Sequence, residues 1–260
     1  MKGLTSNQLK VIAIITMILD HIGYYFYYDL DSRLYICLRI IGRIAMPLFV
    51  FLIVQGFFNT KDFKKYMIRL FNLAIVTQIV ISVLGYINNI YCINYNVDIY
   101  KELNIVFSFF MSLLFIYFIN NIKLINEKGN ILNNIMNILF LIVISLIYLY
   151  IKIDYSYFVP ILALTFYIAE KVKRSAKTEN KYINMYLNII MYTLITIVII
   201  SFSLYKGNLY IFTFLSLPFI YLYSGKLGKK SIRLRNMFYY IFPIQHAILY
   251  SIAMLIYSNY

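Results

Sequence analysis

Apolar runs of about twenty residues, the length that crosses a bilayer as a helix, recur along the whole chain. No other feature constrains the fold as much. Lipid offers the backbone no hydrogen bonds, and a helix satisfies its own peptide groups internally. Hydrophobic residues fill 62% of the 260 positions and charged residues only 13%. A soluble domain carries about 25% charged residues. This chain has too little polar surface to coat a water-soluble globule. The sequence therefore predicts an all-α, polytopic membrane helical bundle, organised as a single domain over residues 1–260.

Polar turns divide the chain into nine predicted spans, at about 8–28, 34–58, 66–88, 104–122, 131–151, 155–170, 183–204, 209–224 and 236–257. The Thr5-Ser6-Asn7 cluster supplies N-cap candidates for the first. With the N-terminus and every second loop on one face, that face collects 18 of the 24 Lys and Arg residues. The other face holds 4, namely Arg33, Lys101, Lys152 and Lys206, and the last two, Arg39 and Arg43, fall inside the second span. The positive-inside rule then predicts a cytoplasmic N-terminus and an external C-terminus in a multi-pass protein of the cytoplasmic (plasma) membrane. Topology accounts for the net charge of +14. No recognition module accompanies that charge, which argues against nucleic acid as a partner. No internal repeat is visible, which weighs against an inverted-repeat transporter.

No cleavable signal is read at the N-terminus, because the first apolar run continues into Asp20-His21 without a small-residue cleavage site. Cys37 and Cys92 lack the spacing of a disulfide framework or a metal site, so two free thiols and no metal are expected. Zero Trp against 28 Tyr leaves tyrosine to form the interfacial aromatic belt.

Ionisable groups at membrane depth are costly and mark a site by default. Asp20 and His21 lie late in the first span. Neighbours on a helix point about 100° apart, so the two must face different partners. Asp20 either forms a buried ion pair with Arg39 or Arg43 or serves the chemistry directly. His21 carries an imidazole suited to proton transfer near neutral pH. Arg39 and Arg43 stand four residues apart and share a face. They repel each other unless anions lie between them. Asp20 supplies one negative charge, and the surplus suits a phosphate or an oxyanion. The alternative is an Arg–Asp–Arg triad that only fixes helix register. Gly42 permits close helix approach, and Pro47 frees a backbone carbonyl one turn back. Gln55 closes the second span near the inner face. Gln78 and Asn104 are uncharged polar groups at or near span depth, where bridging helices is the plainer role. Arg69, with Lys61, Lys64 and Lys65, forms a basic mouth at the inner face, although topology alone explains the lysines. In the ninth span, Pro243 precedes Gln245 and His246.

These residues, in this order, resemble a family. Leu9-Lys10-Val11-Ile12-Ala13 leads through Met17 to Asp20-His21-Ile22-Gly23. Arg39-Ile40-Ile41-Gly42-Arg43-Ile44-Ala45-Met46-Pro47-Leu48-Phe49 runs on to Val54-Gln55-Gly56-Phe57, then Asn59-Thr60-Lys61, Tyr66 and Arg69-Leu70. Together they resemble the TraX family, named for the F-pilin acetylation protein of conjugation systems. The likeness is specific over residues 9 to 80, with a looser echo in the ninth span. TraX-like proteins are similar to the wider group of transmembrane acyltransferases, which use cytoplasmic acyl-CoA. The chain departs from the family where Gln55 stands in place of a frequent acidic residue. It departs again where Gln245 holds the third position of a Pro-x-His pattern, with His246 following.

The resemblance implies a membrane acetyltransferase with acetyl-CoA as donor and a peptide, glycan or lipid acceptor. It implies that His21 is the catalytic histidine and that Arg39 and Arg43 line the site, with Asp20 holding them. Lys64, Lys65 and Arg69 would take the CoA phosphates. Gln55, Gln78, Gln245 and His246 are left as substrate or helix-kink positions. The competing reading is a transporter or flippase for an anionic lipid or sugar, with the two arginines as its clamp. A third is a non-catalytic membrane partner of a secretion or conjugation machine.

Overall fold

The structure, a computed structural model, describes residues 3–90, 102–122, 131–175, 193–202, 204, 207–229 and 232–257. The predicted positions Cys92, Lys101, Lys123, Lys128, Lys177, Lys181, Lys206 and Lys230, and the first part of the predicted seventh span, lie outside the described residues. Regular structure among the described residues is helical. It runs α1 Ser6–Tyr25, α2 Ser32–Gly42, α3 Ala45–Asn59, α4 Phe63–Ile90, α5 Ile105–Asn121, α6 Ile131–Tyr150 and α7 Phe158–Ser175. Then follow α8 Thr193–Phe202, a 3-10 segment Asn208–Ser216, α9 Leu217–Tyr221 and α10 Ile232–Tyr257. Isolated bridges pair Leu4 with Tyr223 and Leu103 with Ile153.

Four stretches are long and apolar enough to cross a membrane: Ser32–Asn59, Phe63–Asn88, Ile131–Tyr150 and Tyr239–Tyr257. Ile105–Asn121, Thr193–Phe202 and Leu209–Tyr221 are apolar but shorter. The outer surface of α6 shows what solvent these helices expect. Leu132, Ile135, Ile138, Leu139, Ile142 and Leu149 are all exposed on it. A water-facing helix would place polar groups there, whereas lipid accepts such a face at no cost. The protein is a membrane protein with a helical architecture.

Local chemistry explains the helix ends. Thr5 and Gln8 form a capping box on α1: the Gln8 amide donates to Thr5 Oγ1 at 3.4 Å, and the Thr5 amide donates to Gln8 Oε1 at 2.9 Å. Two more amides of that first turn, those of Ser6 and Asn7, donate to the carbonyls of Lys226 and Leu227. Asp31 caps α2 through the Arg33 amide, and Asn104 caps α5 through the Val106 amide. Asp62 caps α4 by accepting from the Lys65 amide at 2.9 Å. That bond, with the Lys65 ammonium, holds the exposed Asp62 carboxyl below the usual carboxylate range.

Three expectations are corrected. The second span is not one helix. It breaks into α2 and α3 at Arg43–Ile44. Pro47 lacks the amide that would bond the Arg43 carbonyl, and the chain tightens there, with Arg43 donating to Ile40 O and Ile44 to Ile41 O. Pro47 thus sits in the first turn of α3, where its missing N–H costs nothing. The loop expected from Lys171 is helical as far as Ser175. Glu170 and Arg174 pair at i,i+4 with Nε to Oε1 at 2.6 Å, and the basic residues of the last turn favour the helix C-terminus. The predicted eighth span is a 3-10 segment followed by the five-residue α9, with a proline in the first turn of the latter.

Contacts group the chain into two compact units. The first takes Met1–Leu52, Ile75–Tyr100 and Thr196–Tyr260, and the second takes Ile53–Ala74 and Lys101–Ile195. In the first, α1 packs on α2 and α10. Tyr25, Tyr250, Ala253 and Met254 form a buried core there, with Leu84 and Ile87 of α4 packed on it. In the second, α5 packs on α6 and α7 around Met111, Ile144, Tyr148 and Ile153. Asn104 does bridge helices, as its plainer reading held: its amide also donates to the Ala74 carbonyl at 2.9 Å.

Candidate functional site

The first unit brings together six of the residues singled out in the sequence. Asp20 turns toward α2, where one carboxylate oxygen receives Arg39 Nη1 at 3.1 Å and Arg43 Nη2 at 2.5 Å. Arg39 Nη1 also donates to the Asp20 carbonyl, and Arg43 Nε donates to the Arg39 carbonyl, each at 3.2 Å. Arg43 is 2% exposed and Asp20 15%. Each guanidinium lies near an aromatic face, Arg39 over Tyr24 at 5.5 Å and Arg43 over Tyr210 at 4.7 Å. The triad needs close helices. A Cβ at Gly42 would overlap the Asp20 Cβ and carboxylate, and one at Gly23 would meet Arg39 and Leu38 at 3.2 Å. Gly42→Ala is therefore expected to cost about 1–3 kcal/mol by forcing α1 and α2 apart. The melting midpoint in detergent reports it, and an unchanged midpoint would show that the helices are not held this tightly.

His21 turns the other way, toward α10, as neighbouring positions on a helix must. Its ring lies 4.5 Å from that of His246, centroid to centroid, with Phe242 edge-on at 6.5 Å. His246 is buried, and its Nδ1 lies 2.7 Å from the Tyr25 hydroxyl. Tyr25 is itself fully buried and stacks on Tyr250. Gln245, the residue before His246 on α10, is buried as well. Among the described residues, His21 Nδ1, Arg39 Nε and both polar atoms of Gln245 are buried with no hydrogen bond of acceptable geometry. Most buried polar groups are paired, and the exceptions call for an explanation. Those of His21 and Gln245 lie where α1 meets α10, Arg39 belongs to the ion triad on α2, and Thr77 Oγ1 on α4 is a further case.

The other predicted positions are placed as follows. Gln78 is half-buried on α4 of the first unit. Lys64 and Arg69 are exposed on the second unit, and Lys65 pairs with Asp62 at 3.1 Å. In that unit buried Gln55 donates to Glu170 Oε2 at 2.9 Å. Glu170 also receives Arg174, which donates to Asn59 and lies over Phe58. Sequence reading missed Glu170, because the helix was expected to end there. An acidic residue four before an arginine was the available signal. Tyr25 and Tyr210 were also missed, since among 28 tyrosines no spacing marks the two that meet these groups. Cys37 is exposed. Among the described residues no cluster of His, Cys, Asp and Glu has the makings of a metal site.

The family model for TraX protein matches residues 5–253. The chain belongs to the TraX family. The resemblance carried by residues 9 to 80 thus extends over nearly the whole chain. Among curated relatives, this TraX-family chain is 46% identical over 71 residues to a probable fimbrial assembly protein, FimC of serogroup H1, from Dichelobacter nodosus. That match covers 27% of this chain and 29% of the relative. It is 36% identical over 86 residues to an uncharacterized protein, RP591, of Rickettsia prowazekii, covering 30% of this chain and 33% of the relative. The matched stretches therefore span no more than about a third of either relative's length. No solved structure matches the chain.

Proposed function

We propose that this TraX-family protein is a membrane-embedded acetyltransferase that moves an acetyl group from acetyl-CoA to an acceptor hydroxyl or amine. One observation carries the reading: a half-buried histidine whose Nδ1 has no partner meets a second, buried histidine where α1 meets α10, and the residue before it, Asp20, holds Arg39 and Arg43. In this reading His21 takes the proton from the acceptor as its oxygen or nitrogen attacks the thioester carbon. The C–S bond breaks, and the CoA thiolate leaves with the proton that His21 received. Acetyl-S-CoA and H–X–R thus become acetyl-X–R and HS-CoA. Arg39 suits the oxyanion better than Arg43: both bind Asp20 through a terminal nitrogen, but the Nε of Arg39 is uncommitted while that of Arg43 bonds the Arg39 carbonyl. Asp20 orients both. The same reading has nine crossings, with the N-terminus cytoplasmic and the C-terminus external, in the cytoplasmic membrane. The fimbrial-assembly name of one relative makes a pilus subunit the first acceptor to try.

The test is direct. The purified protein, incubated with acetyl-CoA and a pilin N-terminal peptide, is expected to release free CoA thiol and yield acetylated peptide by mass spectrometry. Without a suitable acceptor, slow thioester hydrolysis and CoA binding remain measurable. No binding at millimolar acetyl-CoA overturns the reading in favour of transport of an anionic substrate.

A further inference from the structure

Gln245 stands out among the described residues because both polar atoms of its buried side chain lack hydrogen-bond partners. A buried carboxamide with neither end satisfied is costly, and natural cores avoid it unless something compensates. Its neighbour His21 has the matching deficiency, a buried Nδ1 without a partner. Gln245 adjoins His246 on α10, whose ring lies 4.5 Å from that of His21, so the carboxamide and the imidazole sit at the same meeting of α1 and α10.

The chemistry decides which way. A neutral imidazole has one protonated nitrogen and one with a lone pair. The Nδ1 of His21 is buried and out of an acceptor's reach. A His21 that works as a base must therefore do so through Nε2, which requires the ring proton on Nδ1. That N–H needs an oxygen to hold it. Asp20, the adjacent carboxylate, is engaged by both Arg39 and Arg43. His246 already has its Nδ1 against the Tyr25 hydroxyl. These are the charged and titratable groups around the ring, from α1, α2 and α10. The Gln245 oxygen is the acceptor left over.

We propose that Gln245 is the positioning residue of His21: its carboxamide oxygen accepts the Nδ1–H, selects that tautomer, and leaves Nε2 as the base. His246, anchored by Tyr25 and packed against the His21 ring, keeps that ring from swinging away. The role in catalysis rests on the acyl-transfer reading; the hydrogen bond does not.

The experiment labels the two histidines of the intact protein with 15N, in detergent or nanodiscs, and reads each tautomer from two-bond proton–nitrogen spectra. His246→Asn assigns the signals. The expected result is His21 as the Nδ1–H tautomer in the wild type and a loss of that bias in Gln245→Leu. Acetyl-CoA turnover in Gln245→Leu is expected to fall about 100-fold or more in kcat, with KM for acetyl-CoA unchanged. Gln245→Glu keeps an acceptor oxygen, so it is expected to keep the tautomer and to move the pH profile. A wild-type Nε2–H tautomer, or an unchanged tautomer in Gln245→Leu, overturns the proposal. If the leucine variant does not fold, loss of the Nδ1–H tautomer in the glutamate variant overturns it instead. The spectra need no substrate. Intact acetyl-CoA alongside a preserved tautomer bias would sink the acyl-transfer reading while leaving the hydrogen bond standing.

Discussion

Replacing His21 by alanine is expected to abolish acetyl transfer while leaving the protein folded in the membrane. Removal of a positioned general base costs about 10²- to 10⁴-fold in rate. The structure supports the second half of the expectation. His21 is half-buried, and the neighbouring Asp20 is held by Arg39 and Arg43, so loss of His21 strips no ion pair. The ring does pack on His246, Tyr25 and Phe242. Loss of those contacts lowers stability modestly compared with the chemical effect. Mass spectrometry of the acceptor measures the first term, and the level of monodisperse protein extracted from membranes measures the second. His21→Gln, which keeps most of the volume, separates packing from proton transfer. Retained acetylation in either variant would remove His21 from the mechanism.

Asp20→Ala is expected to act on the opposite side of α1 and chiefly on stability. It strips the shared anion from two guanidiniums, one of them only 2% exposed. Breaking a buried pair from one side costs about 3–5 kcal/mol, because the remaining charge is left without compensation. A protein of ordinary stability loses a large share of its folded population at that cost. The melting midpoint in detergent is expected to fall sharply, and expression with it. Arg43→Ala alone is expected to be milder, since Arg39 still balances Asp20. The double variant Asp20→Ala/Arg43→Ala is expected to recover part of the loss. That non-additivity is the measurable signature of a direct pair. Purely additive losses would show that Asp20 acts through something other than these arginines.

Much of this architecture was legible along the chain, and the reason is energetic. Burial of a peptide group in lipid without a hydrogen bond is so costly that an apolar run of sufficient length has essentially one conformation. Helices, the cap of α1 at Thr5, and the costly groups Asp20, His21, Arg39 and Arg43 could all be read locally. So could the divergence of Asp20 and His21, about 100° apart around the helix.

Contacts between distant segments were not legible, because no local rule selects the partner. Pro47 advertised a weak point in the second span, but only the fold showed a full break at Arg43–Ile44 rather than a kink. Glu170 looked like the end of a helix and proved to be the partner of Gln55, 115 residues away. Tyr25 was one tyrosine among many until α10 brought His246 against its hydroxyl. The sequence by itself determined that a histidine and two arginines would be buried in a helical membrane protein. Only the tertiary structure decided that Asp20 satisfies both arginines and is thereby taken away from His21. What remains for that imidazole is a second histidine and an unpaired glutamine on α10, 225 and 224 positions along the chain.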